Sequence, residues 1–344
     1  MKVAVIGAGS IGGLMGAALA RGGTATHLLA RGEHLKAIRQ NGLRIITDED
    51  TWSVQVPCTD DPQDIGPTDF VILGVKSYAY SSIGDLLEPL LHERTAVVPA
   101  QNGIPWWYFH GHGGPYDGRR IESVDPGGSV SAVIAAHRVI GCVVYPAAVM
   151  TAPGLIHHVE GRRFGIGEPD GTKSERCQRF AAALNAGGMK CSIDSRIRDQ
   201  IWVKLMGNAT FNPLSALTLA TMAEICRFPL TRDLVAEMMR ETVAIATSLD
   251  CEVPVSIERR LAGAERVGEH RTSMLQYLEA GRQMEIEALL GAVVELADLT
   301  GVDARRLRTV YAAVSLLATE TRRYALPGVR QENERGTTST RRTS

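Results

Sequence analysis

The chain has 344 residues, with 37 Lys and Arg against 38 Asp and Glu, a net charge of -1, and 5% aromatic residues. That balance excludes a basic surface for nucleic acid or an anionic membrane, and so few aromatics leave little for base stacking. Six cysteines without a CxxC pair suit reduced, buried thiols in a cytoplasmic protein, and no apolar run approaches the ~18 residues of a membrane span.

The N-terminus reads as a βαβ series. "KVAVIG" (2–7) is a β-branched run closed by glycine, and the alanine-rich stretch 10–23 after it reads as a helix. "THLLAR" (26–31) reads as a second strand, "HLKAIRQNGL" as a helix with a glycine stop, and 43–57 as a hairpin around Asp48, Glu49 and Asp50. "DFVILGV" (69–75) is apolar throughout, as in a parallel strand covered on both faces. "SIGDLLEPLL" and "TAVVPAQNG" supply a further helix and strand. Residues 105–135, rich in Gly, Pro and aromatics, break the rhythm as a long excursion at the sheet's carboxyl edge, and 139–168 reads as strands joined by turns.

From about 195 to Leu326 the pattern is nearly all helical. The expected fold is therefore α/β: an N-terminal Rossmann-type doubly wound sheet followed by an all-α C-terminal domain. The expected divisions are 1–195 for an NADP-binding domain, 196–326 for a helical substrate and catalytic domain, and 327–344 for a polar, disordered tail. The paired histidines, His110 with His112 and His157 with His158, lack Cys or carboxylate neighbours at ligand spacing, so no metal site is expected.

Gly7, Ala8, Gly9, Ser10, Ile11 and Gly12 match GxGxxG between a strand and a helix. Glycine there permits a tight turn and lets backbone N–H groups approach a pyrophosphate. The end of the second strand distinguishes the nucleotides. A site for NAD usually carries an acid for the ribose 2′-OH; this chain has Arg31, whose guanidinium suits a 2′-phosphate, so NADP(H) is the expected cofactor. Lys76 and Asn102 follow consecutive strands, at the sheet edge where such folds bind ligands.

"VKLMGNATFNPLS" (203–215) sets one lysine in an apolar helix. At roughly 100° per residue, Lys204, Asn208 and Asn212 form one strip about 80° wide. Pro213 lacks an N–H and should kink or end the helix. In 271–301, Ser273 to Gln276 reads as a capping box starting a helix at 273, whose N-terminus could equally take a carboxylate. Ile286, Leu289, Leu290, Val293, Val294 and Ala297 form its buried face, flanked by Glu285 and Glu287, the latter expected at a solvated rim.

Together, "GAGSIG", "VKS", "QNG", "VKLMGNATFNPLSAL" and "TSMLQYLEAGRQMEIEALLGAVV" resemble the ketopantoate reductase (2-dehydropantoate 2-reductase) family in order, over about residues 1–325. The resemblance implies an NADPH-dependent reduction of a 2-oxo acid to a 2-hydroxy acid, most simply ketopantoate to pantoate in pantothenate and coenzyme A synthesis. It implies catalytic roles for Lys204 and Glu285, as a pair across the cleft. Asn208, Asn212 and Ser273 would contact substrate, and Lys76 and Asn102 would line the cofactor and substrate cleft.

Two features depart from the family pattern. Tyr277 stands where aspartate is common, and the 105–135 excursion is longer and more aromatic than usual. A reductase of another 2-oxo acid therefore stays open, as does a non-catalytic NADPH sensor, although a sensor has no need of a proton donor. The apolar helical region is compatible with a homodimer.

Overall fold

The structure, a computed structural model, describes residues 1–324; the tail expected over 327–344 lies outside the described residues. Strand β1 (Lys2–Ile6) runs into helix α1 (Ser10–Arg21), then β2 (Ala25–Leu29), α2 (Gly32–Asn41), the hairpin β3 (Leu43–Ile46) and β4 (Thr51–Val54), and β5 (Cys58–Thr59). The chain returns through β6 (Phe70–Leu73), one short turn of helix α3 (Gly84–Leu87) and β7 (Ala96–Pro99). The longer helix expected near residues 82–91 is thus an α turn followed by a 3₁₀ turn holding Pro89, whose missing N–H interrupts the ladder.

These strands form a parallel sheet of order β5-β2-β1-β6-β7. Apart from Lys2 at the start of β1, strands β1, β6 and β7 are apolar and buried, as a sheet covered on both faces requires. The winding reverses between β1 and β6, and their carboxyl ends mark the crevice where a doubly wound sheet takes its ligand.

After the 105–135 segment come β8 (Gly141–Val144), β9 (Ala147–Ala152), β10 (Leu155–Glu160), β11 (Arg163–Gly167), α4 (Glu175–Ala186) and β12 (Lys190–Ile193). Two smaller sheets result: β4-β3-β10-β9, which packs against α1, and β12-β11-β8, joined to β7 by a parallel bridge between Val97 and Val139. The 105–135 segment is no surface loop. Trp106, Trp107, Tyr108 and Phe109 are buried, Tyr108 accepts a 2.7 Å hydrogen bond from the Trp202 indole, and Glu295 accepts from the backbone N–H groups of Glu122 and Ser123 at 2.8 Å each.

The remainder is helical: α5 (Ile197–Thr218), α6 (Met222–Arg227), α7 (Pro229–Ser248), α8 (Ile257–Arg266), α9 (Ser273–Glu279), α10 (Ala292–Thr300) and α11 (Arg305–Tyr324). Helix α5 is the axis. It is buried on most sides because α7, α9 and α11 pack round it and its N-terminal half lies on β8. It passes through Pro213 and continues to Thr218, ending at Leu219 in the left-handed region (φ 60°); of the kink or stop expected at the proline, the stop is not found, because the packed neighbours hold the helix past the missing hydrogen bond. The stretch 271–301 is likewise not one helix. α9 ends at Glu279, two residues before Gly281 (φ 61°), and a π turn over Glu287–Gly291 leads into α10. Among the described residues no helix is long and apolar enough to cross a membrane.

Candidate active site

The glycine loop is made by close backbone approach. Gly7 has φ +88°, and a Cβ there would stand 2.6 Å from a methyl of Val75. A Cβ on Gly74 would stand 2.7 Å from the Cα of Gly12, so the turn after β1 and the end of β6 touch through their main chains. Helix α1 then opens at Ser10 behind Gly9, with no side-chain cap and no acid in its first turn. Its first N–H groups are left for an anion, which fits a pyrophosphate.

Two contacts hold this loop against the second sheet. Ser10 Oγ accepts from the N–H of Met150 at 3.1 Å. His34 Nδ1 accepts from the N–H of Gly154 at 2.9 Å, which leaves the ring proton on Nε2 to donate to the Ala8 carbonyl at 2.7 Å. Arg31 is exposed at the start of α2, two residues beyond β2, and Ile11 is half-buried in the first turn of α1.

Lys204 lies on α5 where that helix meets the carboxyl end of β8. Its ammonium donates to Asn102 Oδ1 at 2.5 Å and to the carbonyl of Val144, and its Nζ is 5.8 Å from the centre of the Tyr145 ring. Burial brings its pKa down to about 8; nearby Cys142 and Glu285 oppose the shift, while Arg260 and Lys76 add to it. A void of about 20 Å³, room for roughly one water, lies beside Lys204, Asn102 and Asn208. The amides of Asn208 and the buried Asn212 have no hydrogen-bond partner among the described residues.

Glu285, just before the π turn, forms an ion pair with Lys76, and its other oxygen lies 3.5 Å from the Ser77 hydroxyl. Lys76 thus takes the carboxylate directly, and Glu285 acts on Lys204 through space. The Lys76 ammonium also sits 4.6 Å over the Tyr277 ring. Burial pulls the Lys76 pKa down, but Glu285 and Tyr277 outweigh it and the net shift is upward. Lys76 thus meets Glu285, and Asn102 meets Lys204.

Ser273 is exposed as the first residue of the seven-residue α9, and the cap is Thr272, whose hydroxyl accepts from the N–H of Leu275 at 3.3 Å. The residue before the serine takes the extended capping conformation, so the capping-box reading is off by one. Glu287 is exposed, accepting from the Tyr311 hydroxyl at 2.8 Å.

Beyond Glu285 lies a cavity of about 360 Å³, walled by Tyr80, Gln101, Trp106, Val124, Met284 and Ser315 among others. The Tyr80 hydroxyl, the Gln101 side-chain oxygen and the Ser315 hydroxyl are buried there without partners. The sequence reading missed this cavity and the Val144 carbonyl, neither of which leaves a local signal in the sequence.

Two family models match the chain: "Ketopantoate reductase PanE/ApbA" over residues 3–106 and "Ketopantoate reductase PanE/ApbA C terminal" over residues 196–318. The chain is 47% identical over 321 residues to a 2-dehydropantoate 2-reductase of Mesorhizobium japonicum, covering 93% of this chain and 98% of the relative. A crystal structure of a candidate ketopantoate reductase from Ralstonia solanacearum superposes with a TM-score of 0.87 at 38% identity, covering 93% and 98% of the two chains. At 19% identity, D-mandelate dehydrogenase in complex with NADH and anilino(oxo)acetate shares the fold, with a TM-score of 0.78 over 94% of this chain and 99% of that one.

Proposed function

The chain belongs to the ketopantoate reductase family of oxidoreductases acting on CH–OH groups, and from that premise we propose that it reduces 2-dehydropantoate to (R)-pantoate with NADPH, in pantothenate and coenzyme A synthesis. Residues 1–195 would hold the nucleotide and 196–326 would carry most of the substrate contacts. The observation that carries the reading is the Lys204 ammonium, buried yet hydrogen-bonded, with a pKa of about 8 and two unpartnered amides beside it on the same helix.

The glycine loop, the open first turn of α1 and Arg31 would hold the dinucleotide, Arg31 meeting the 2′-phosphate. When bound, a reduced nicotinamide supplies a hydride. As the substrate's C2 becomes tetrahedral, its carbonyl π pair moves onto oxygen, and the Lys204 ammonium gives that oxygen a proton. Asn102 and the Val144 carbonyl fix the direction in which the ammonium points, while Asn208 and Asn212 offer amides to substrate oxygens. Glu285, held by Lys76, would accept from a substrate hydroxyl and keep the electrostatic balance that leaves Lys204 protonated near neutral pH.

A second reading, reduction of a bulkier 2-oxo acid, rests on the 360 Å³ cavity beyond Glu285, bounded by the aromatic 105–135 segment. One assay separates the readings. NADPH oxidation is followed with ketopantoate and with 2-oxo acids of increasing side-chain size, for wild type and Lys204→Ala. Turnover of ketopantoate that collapses in the variant supports the proposal; preference for a larger acid selects the second reading; no turnover on any acid sinks both.

A further inference from the structure

His34 joins three segments that are far apart in sequence. It stands half-buried in the first turn of α2, three residues after Arg31. Its Nε2–H donates to the Ala8 carbonyl at 2.7 Å, and its Nδ1 accepts from the Gly154 N–H at 2.9 Å. Only a neutral ring with its proton on Nε2 serves both partners. Gly154 is itself held: it turns between β9 and β10 at φ +73°, and its carbonyl accepts from the N–H of Arg44 on β3 at 3.0 Å. The second sheet therefore anchors the imidazole, and the imidazole anchors the glycine loop.

What the imidazole fixes is the direction of one peptide. The described residues contain no cis peptide bond, so the Gly9 N–H points opposite to the Ala8 carbonyl. With that carbonyl drawn onto His34, the Gly9 N–H is turned to the far side of the loop, where it donates to no acceptor among the described residues. The N–H groups of Ser10 and Ile11 follow it at the open end of α1. Successive N–H groups aimed one way make a concavity for an anion. Without a brake this peptide would be the easiest in the loop to flip, because glycine stands on both sides of Ala8 and tolerates either sign of φ. A flip would replace the N–H with a carbonyl oxygen, which repels phosphate. Helix α1 closes the other side, since a Cβ on Gly13 would stand 2.8 Å from the Ala8 oxygen.

We propose that His34 is a positioning residue for the coenzyme: it locks the Ala8–Gly9 peptide with its N–H towards the pyrophosphate, using the β9–β10 turn as the fixed point. The assignment rests on the reading that a dinucleotide binds at the glycine loop, and not on which acid is reduced.

The test uses the full chain and two ligands that divide the dinucleotide. ADP-ribose carries the pyrophosphate without the 2′-phosphate, and 2′-AMP carries the 2′-phosphate without the pyrophosphate. Each is titrated in competition with NADPH by nucleotide fluorescence. His34→Leu keeps bulk and removes both hydrogen bonds; it should weaken ADP-ribose about tenfold and leave 2′-AMP within about twofold of wild type. The loss should fall on the KM for NADPH, with kcat at saturating NADPH within about twofold. His34→Gln, whose amide can donate one hydrogen bond and accept the other, should recover most of the loss. Gly154→Ala leaves the imidazole in place and displaces its anchor, because the new methyl would stand 3.0 Å from the Ala37 Cβ at a left-handed position. It should reproduce the selective loss, and it decides by the same ligand ratio should His34→Leu fail to fold. Equal losses on both ligands mean a general loosening of the domain and overturn the proposal, as does ADP-ribose binding within about threefold of wild type. If wild type binds neither NADPH nor ADP-ribose, the coenzyme reading itself fails and the proposal falls with it.

Discussion

At the glycine loop the chain builds a binding surface from backbone, over six consecutive residues braced by the end of β6; at Lys204 it builds one from side chains on elements far apart in sequence. The first depends on atoms being absent, since Gly7, Gly12 and Gly74 bring three stretches of main chain together. The second depends on charges placed in a poor solvent, with Lys76, Asn102, Lys204 and Glu285 contributed by four segments. A backbone site should tolerate changes of pH but not an added methyl. A site made of buried charges should show the reverse.

The largest effect expected from that contrast is on Lys204→Ala, which should lower kcat by about 10²–10⁴-fold while NADPH binding, measured by fluorescence titration, stays as in wild type. Loss of coenzyme affinity in that variant would mean that the two ends are not separable. Arg31→Ala should weaken NADPH by about tenfold or more and leave NADH nearly untouched, judged by the ratio of the two KM values; equal losses would remove the 2′-phosphate from its role.

The pH profile comes next. The ammonium is the active form and burial sets its pKa at about 8, so with saturating NADPH kcat/KM should be level below that pH and fall about tenfold per unit above it. A profile flat to pH 10 would contradict proton donation by Lys204. Gly74→Ala should be insensitive to pH, with a several-fold loss of NADPH affinity at every pH, because its new methyl would strike the Gly12 backbone.

The smallest effect is on stability. Lys204 titrates near 8 in the folded chain against 10.5 for an ordinary lysine, so the unfolded chain binds the proton more tightly. The burial penalty is complete below pH 8 and vanishes above about 10.5. Lys204→Met should therefore raise the thermal midpoint by about 2 °C or more at pH 7, measured by calorimetry, and show no gain near pH 10.5.

What was legible in the sequence follows the same division. The glycine loop, its flanking strand and helix, and the parallel sheet could be read because their signals are local: β-branched runs, a glycine spacing, an apolar strand. The polar strip on α5 could be read as well, because one helix sets its spacing. The partner of Glu285 could not. Lys76 and Lys204 were equally available cations, and only packing determined which one the carboxylate met. The break between α9 and α10 was hidden because the apolar pattern of 286–297 continues across the irregular turn.

The loop that carries Asn102 is joined to the π turn after Glu285. The N–H of Ile104 donates to the Ala288 carbonyl at 2.8 Å, and Gly103, at φ +85°, lies against that same peptide. That stitch couples Asn102, which holds the Lys204 ammonium, to the turn that follows Glu285, so a substitution at Gly103 would disturb both polar groups at once.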